Sequence, residues 1–425
     1  MLDLKSIIAN PERAKKNLEQ RNKRESVWVV DELLEQYESW KKTKKELEHA
    51  RHQRNELSAV VNKLKKEKKD VAPILARVKD LPEQISKQEA EITLLQNSMN
   101  DLLLKIPNFL DASVPLGKDA SENVEVRKWG RIPKHSFTLV NHEELIEKGG
   151  YAHFDAGRQN AGQGFNYLLG DMALLDHALQ RYGVDFAIRK GFNLVTTPLM
   201  LNFETLLGAL NGLHDFENVV YKVDNENLYL IGTGEHPLVS LYRDTTLKKQ
   251  DLPLKLCTLT PCFRKEIGGH GVDTKGLFRM HQFNKVEQVV YCSPEDSPKM
   301  LEHMQKVTEE FVQTLNIPYR VIEMCSGDLG AKFAKQYDIE AWFPRQEKYA
   351  EITSAGNCTD YQARSLNTVY HEGREKRYVH MLNNTMVATS RVMVAVLENF
   401  QQKDGSVKIP EVLHVYMGKK TILGK

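Results

Sequence analysis

TPCFRKEIGGHGVDTKGLFRMHQFNKVEQ, residues 260–288, holds two runs that read as strands around a loop of glycines and charges. Side chains alternate across a strand. Arg264 and Glu266 therefore fall on one face of the first run, and Arg279, Phe283 and Glu287 on one face of the second. An ordinary half-buried strand puts aliphatic residues on one of its faces. Here a face carries charges and an aromatic ring, which suits a surface that grips an anion and a flat heterocycle. By itself the pattern fits a solvated hairpin with accidental charges equally well.

The hairpin belongs to a chain of 425 residues, long enough for more than one domain. A hydrophobic content of 41% and a charged content of 27% describe an ordinary globular protein. No apolar run approaches the ~20 residues needed to span a bilayer. The opening MLDLKSIIANPERAKK lacks the apolar core of ~7–15 residues that marks a secretory signal. A cytoplasmic location without membrane association is the expectation. Five cysteines (Cys257, Cys262, Cys292, Cys325 and Cys358) form no C-x-x-C pair, so reduced, mostly buried thiols are expected and zinc is not.

Net charge is +2, but residues 1–110 hold 22 Lys/Arg against 18 Asp/Glu. This mild asymmetry permits nucleic-acid contact by the first part without requiring it. That part also differs in kind, with no glycine before Gly117. Apolar residues recur at Leu33, Trp40, Leu47, Leu57, Val61 and Leu64, with Ala50 in phase. A second series, Val78, Leu81, Ile85, Ile92, Leu95, Met99, Leu102 and Ile106, keeps alternating three- and four-residue steps that only Gln88 interrupts. Both are heptad seams. Pro73 and Pro82 predict a turn between them, and Pro107 ends the second.

Two such seams joined by a short turn predict an antiparallel coiled-coil hairpin whose helices, at about 35 residues, reach on the order of 50 Å. It could serve as a spacer, a dimerisation element or an arm laid along a partner. Near the turn stand Lys63, Lys65, Lys66, Lys68 and Lys69. Such a cluster is either a solvated surface or a salt-sensitive contact to a phosphate backbone.

Beyond a polar linker at about 108–131, aromatics, glycines and short β-rich runs (228–231, 285–291 and 349–353) mix with helical stretches at 172–190 and 298–315. No regular strand–helix–strand rhythm appears, which predicts an α+β domain with a largely antiparallel sheet. Neither G-x-x-x-x-G-K-[ST] nor a strand followed by G-x-G-x-x-G occurs, so a bound nucleotide is not held by either loop.

With these surroundings, Phe263-Arg264-Lys265-Glu266 followed by Arg279-Met280-His281-Gln282-Phe283-Asn284-Lys285-Val286-Glu287 resembles motif 2 of a class II aminoacyl-tRNA synthetase. More narrowly it resembles the seryl-tRNA synthetase family. Residues 190–198 are similar to that family's motif 1, residues 382–391 to its motif 3, and residues 114–130 to its linker. The resemblance implies a helical tRNA-binding arm at 1–110 and, at 111–425, a class II catalytic domain: an antiparallel sheet flanked by helices. It also implies a homodimer through the motif 1 region. Asn384, Met386 and Ser390 replace glycines common in bacterial members, and Ala355-Gly356 stand where Cys-Ser is usual. Both point toward the archaeal and eukaryotic branch.

The resemblance further implies the substrates L-serine, ATP and tRNA(Ser). Arg264 would contact the α-phosphate and place the serine carboxylate. Arg279 and Arg391 would hold the γ end of ATP, Glu266 would read the adenine amino group, and Phe283 would stack on the ring. Arginine suits such work, because its planar fork pairs bidentately with phosphate and keeps its charge. Glu351 and Ser354 would hold Mg²⁺ with hard oxygens. In Ile231-Gly232-Thr233-Gly234-Glu235, similar to the family's T-x-E strand, Thr233 and Glu235 would share a face at the amino-acid site. Glu287 would bind the substrate's amino and hydroxyl groups, and Asn383 and Thr385 would complete the pocket. His281 is in phase with Arg279 and Phe283, but carboxylate attack on phosphorus needs no base, so a structural hydrogen bond is expected of it. Gly268, Gly269 and Gly271 would keep the motif 2 loop mobile. Two alternatives are a relative that loads serine onto another acceptor and a non-catalytic paralogue. The long arm speaks against the first, and the full set of arginines against the second.

Overall fold

The computed structural model of the protein describes residues 1–210, 219–266 and 276–423, leaving aside the side chains of Leu75 and Arg77. Gly268, Gly269 and Gly271 lie outside the described residues. The chain forms two compact units, one of residues 2–19 and 23–106, the other of residues 1, 20–22 and 107–425.

The first unit is all helix: α1 (Leu4–Ala9), α2 (Pro11–Gln20), α3 (Trp28–Lys66), α4 (Ala72–Val78) and α5 (Leu81–Lys105). At ~1.5 Å per residue α3 is about 58 Å long. It packs antiparallel to α5 along the expected seam. Leu47, Ala50, Leu81 and Ile85 form a buried cluster that Leu57 and Ile92 extend, and Arg51 reaches Glu89 at 2.7 Å. Gln88 keeps the seam's phase and is buried with it. Val78 departs from expectation: it ends the separate helix α4. Pro82 fits the restart, since a proline sits well only in a helix's first turn and Pro82 is the second residue of α5.

In the second unit eight strands form one sheet: β1 (Val124–Trp129), β2 (Asn193–Leu194), β3 (Leu254–Phe263), β4 (Gln282–Cys292), β5 (Tyr319–Glu323), β6 (Lys335–Phe343), β7 (Lys348–Asn357) and β8 (His380–Ala388). Their order is β1-β5-β6-β7-β8-β4-β3-β2. Only the short β2–β3 pairing is parallel. Helices α6 (Gly170–Arg189), α7 (Glu235–Ser240), α8 (Ser297–Thr314), α9 (Tyr361–Ser365) and α10 (Thr389–Phe400) complete the elements used below. At the end of α6, Gly191 takes φ +85°, a left-handed turn that only glycine adopts without strain. The chain then enters β2.

The two faces of β4 explain where a site can form. Val286, Val290 and Cys292 join α6, α8 and α10 residues such as Leu179, Phe311 and Val394 in the main core. On the other face, Val289 and Tyr291 pack with Leu238 of α7, Ala363 of α9 and Met381. That second face starts with Phe283, Lys285 and Glu287. It is a polar surface at one end of the strand and an apolar core at the other.

Two bulges re-aim side chains on this face. In β7, Ile339 opposes Thr353 and Glu340 opposes Glu351, so Ile352 is an extra residue. In β8, Thr385 opposes Glu287 and Val387 opposes Val286, so Met386 is extra. Both extra residues bury in the helix-covered core. A bulge shifts the strand's phase by one. Glu351 and Ser354, three apart, therefore share a face, which strict alternation forbids.

Candidate active site

The site begins where the hairpin of β3 and β4 opens. Directly opposed residues are Thr258 with Glu287, Thr260 with Lys285, and Cys262 with Phe283. The ladder ends there, but the Arg264 N–H still donates to the His281 carbonyl at 2.9 Å, so Arg264 keeps the phase of Phe283. Glu266 and Arg279 do not lie on strands as expected. Glu266 turns into the left-handed region at φ +49°, which breaks the pleat, and Arg279 precedes β4. The two nonetheless meet in an ion pair.

Arg264 donates from Nε to the Gly232 carbonyl at 2.9 Å, and its guanidinium lies 5.3 Å over the Phe283 ring. Arg391, in the first turn of α10, pairs with the Glu351 carboxylate at 3.0 Å and lies 5.3 Å over Phe278. Arg264, Arg279, Arg391, Phe283 and Glu351 help wall one cleft. Flat rings and delocalised cations in one cleft suit a base and its phosphates.

A second cavity adjoins it, and Arg264, Lys285, Glu351 and Thr385 line both. Thr233 and Glu235 stand here, though not on a strand. Residues 231–234 form a turn that opens α7. The Thr233 hydroxyl accepts from the Glu235 N–H at 3.2 Å, a local bond that competes with extension, and Pro237 fits the first helical turn. Thr233 also donates to Glu287 at 3.1 Å.

Glu235 accepts from Lys332 Nζ at 2.6 and 2.7 Å, from Gln362 Nε2 at 2.8 Å and from Asn383 Nδ2 at 3.1 Å. Glu287 is paired with Lys285 and faces Thr385 across the sheet, while Lys285 also reaches Thr385 Oγ1 at 3.3 Å. Burial pushes the Glu287 carboxyl up, and Lys285 opposes that shift. Burial works against the Lys332 ammonium too, yet the Glu235 carboxylate leaves it above its ordinary value. Both buried carboxylates thus have cationic partners, without which burial would be very costly.

Sequence reasoning gave Lys285, Lys332 and Gln362 no role. Lys285 was within reach, since it shares the two-residue phase of Phe283 and Glu287. Lys332 and Gln362 lie in an irregular segment and a five-residue helix, where no periodicity could mark them.

The bulge at Ile352 brings Glu351 and Ser354 to one face. Gln336 Nε2 donates to Ser354 Oγ at 3.0 Å and to Asp338 at 3.1 Å. Burial and the nearby Glu351 charge push the Asp338 carboxyl up. Among the described residues no group of three or more His, Cys, Asp or Glu could hold a metal. Glu351 and Ser354 both line the second cavity, and Glu351 also lines the cleft; two hard oxygens so placed fit Mg²⁺, which takes few protein ligands and completes its shell with phosphate and water.

His281 Nδ1 lies 2.6 Å from the Tyr221 hydroxyl, and its ring stacks on Phe165 at 5.2 Å, a supporting placement. Asn384 donates to the Met304 carbonyl and the Thr308 hydroxyl of α8, so it faces away from the site. All five cysteines are free and buried. The five lysines at 63–69 are exposed, with Lys69 2.8 Å from Glu67.

An antiparallel sheet bearing such a cleft and pocket on one face defines the core of a class II aminoacyl-tRNA synthetase. The family described as tRNA synthetase class II core domain (G, H, P, S and T) matches residues 220–400, and Seryl-tRNA synthetase N-terminal domain matches residues 1–110. The chain is 45% identical to serine–tRNA ligase of Methanocella arvoryzae, over 98% of this chain and 99% of that protein. The crystal structure of seryl-tRNA synthetase from Pyrococcus horikoshii complexed with ATP is similar at TM-score 0.93 and 42% identity, covering 100% of both chains. That of cytoplasmic serine–tRNA ligase from Naegleria fowleri in complex with AMP is similar at TM-score 0.83 and 35% identity, covering 97% of this chain and 95% of that one. The chain belongs to the serine–tRNA ligase family.

Proposed function

We propose that the protein activates L-serine with ATP to seryl-adenylate and pyrophosphate, then transfers the seryl group to the terminal adenosine of tRNA(Ser). The carrying observation is the shared wall: Arg264, Lys285, Glu351 and Thr385 line both the arginine-rich cleft and the polar pocket. ATP occupies the first and serine the second, so carboxylate and α-phosphorus meet beside Arg264. A serine carboxylate oxygen bonds to phosphorus as the bond to pyrophosphate breaks. The carboxylate is already a nucleophile, so catalysis is alignment plus positive charge on the phosphates. In the second step a ribose hydroxyl attacks the acyl carbon and AMP leaves.

Arg279 and Arg391 bind the outer phosphates, exchanging Glu266 and Glu351 for them, and the freed Glu266 turns to adenine above Phe283. Glu351 and Ser354 would hold Mg²⁺, whose charge would offset that of the phosphates. Glu287, Thr233 and Thr385 bind serine, while Glu235, already surrounded by donors, holds Asn383 and Lys332 in place. Residues 1–110 act as the tRNA-binding arm, with the five lysines against its backbone. Residues 111–425 catalyse, and a homodimer forms through the motif 1 region. The substrates are those of protein synthesis, so the cytoplasm is the proposed location.

Serine-dependent ATP–pyrophosphate exchange and single-turnover charging of tRNA(Ser) test this reading, with alanine and threonine as competitors. Alanine leaves buried polar groups without partners, so discrimination of about 10⁴ or more is expected. Equal use of alanine would overturn the assignment of the pocket.

A further inference from the structure

Lys332 belongs to a stretch, residues 329–334, that has neither helix nor ladder to hold it. Backbone groups in such a segment need partners from elsewhere. Two side chains distant in sequence supply them. Arg21, 2% exposed, donates from Nη1 to the carbonyls of Leu329 at 3.1 Å and Gly330 at 3.3 Å, and from Nη2 to that of Phe333 at 2.5 Å. Asn108, also 2% exposed, donates its backbone N–H to the Ala331 carbonyl at 2.8 Å and its Nδ2 to the Lys332 carbonyl at 2.9 Å. Five consecutive carbonyls, from Leu329 to Phe333, are thereby held by two residues.

The two residues are also held to each other and to the turn that follows β7. Arg21 Nε donates to the Asn108 carbonyl at 3.1 Å. Asn108 Nδ2 also reaches the Cys358 carbonyl at 2.8 Å and Thr359 Oγ1 at 2.9 Å. Phe333 packs on Gly356 so closely that a Cβ there would lie 2.2 Å from the ring. The segment is thus fixed on both sides of Lys332.

All four acceptors of Arg21 are backbone carbonyls. A buried guanidinium without a carboxylate is costly, and an apolar side chain would fill the space at lower cost. What it supplies is a rigid fork across several turns of backbone, and the side chain so placed carries the only cation seen on Glu235 among the described residues.

We propose that Arg21 and Asn108 are positioning residues for the amino-acid pocket. They clamp residues 329–334 so that Lys332 stays on Glu235, and Glu235 in turn holds Asn383. The clamp rests on reading this pocket as the serine site. Its effect falls on serine, because the ATP cleft contains neither Lys332 nor Glu235.

Serine-dependent exchange tests it with Arg21→Lys, Lys332→Gln and the double variant. Arg21→Lys should raise KM for serine by about tenfold or more, as the loss of one or two buried hydrogen bonds would, while KM for ATP stays within about twofold. The double variant should be no worse than Lys332→Gln alone, since both changes act through one ion pair. Additive effects, a serine KM that does not move, or serine and ATP constants rising together would overturn the clamp. If Arg21→Lys does not fold, Asn108→Ala carries the same expectations, because it keeps the backbone bond to Ala331. An unmutated protein with no serine-dependent exchange would overturn the serine reading and the clamp with it; normal exchange with unmoved variants would overturn the clamp alone.

Discussion

Arg264 meets several demands at once. Its Nε is committed to the Gly232 carbonyl, its plane covers Phe283, and its side chain lines both cleft and pocket. A lysine could satisfy one of these demands and not the rest, because its ammonium has no plane and no fork. Arg264→Lys is expected to lower kcat/KM for exchange by about 10²–10³, mostly in kcat, with an unchanged thermal midpoint. A loss confined to KM for ATP would assign Arg264 to ground-state binding alone. The residues proposed for this site were legible through the family resemblance, and chemistry accounts for their types: planar cations suit phosphates, and carboxylates suit an ammonium. Conformation was less legible. Alternation carried as far as Arg264 and failed at Glu266, where φ turns positive. Thr233 and Glu235 read as a strand, but a threonine hydroxyl that bonds its own backbone and Pro237 in the next turn outcompete extension there.

At the scale of elements, α10 carries Arg391 at its start and is nearly enclosed. Glu398, near its other end, is 0% exposed. One oxygen accepts from the Arg345 N–H at 3.3 Å, and Oε1 has no hydrogen-bond partner among the described residues. Burial pushes its carboxyl up from 4.5 to about 6. The folded chain therefore holds this proton more tightly than the unfolded chain does. Stability falls as pH rises from about 4.5 to about 6, and remains lower by on the order of 2 kcal/mol above that. Glu398→Gln should raise the thermal midpoint at pH 7.5, with a gain that fades toward pH 4.5. An equal gain at both pH values would assign the effect to packing. Long elements were legible: the seams of α3 and α5, the helices α6 and α8, and the strands β4 and β7. The bulges at Ile352 and Met386 were not, since an extra residue looks like any other until its partner strand is known. They decide which way Ser354 and Ala388 point.

For the molecule as a whole, the sequence divides by composition at about residue 110, and the compact units change over at residues 106 and 107. No local pattern marks residues 20–22 as packing with the later unit, because three of the four acceptors of Arg21 lie 308 to 312 residues away. The proposed division of labour predicts that the arm's charge and the catalytic site act separately. Replacing Lys63, Lys65, Lys66, Lys68 and Lys69 with serine should weaken tRNA binding and flatten its salt dependence, while serine-dependent exchange stays unchanged. Unaltered tRNA affinity at low salt would remove these lysines from the interface.

The sheet order has a consequence for how the protein is made. β8 lies between β7 and β4, so Glu287 of β4 has no Thr385 opposite it until roughly 100 further residues have been added, on the order of 5–20 s of synthesis. The helical hairpin, by contrast, is complete at Lys105. If the arm grips tRNA as proposed, a growing or prematurely ended chain can hold tRNA well before it can charge it. Truncated products would then compete with the finished enzyme for its own substrate.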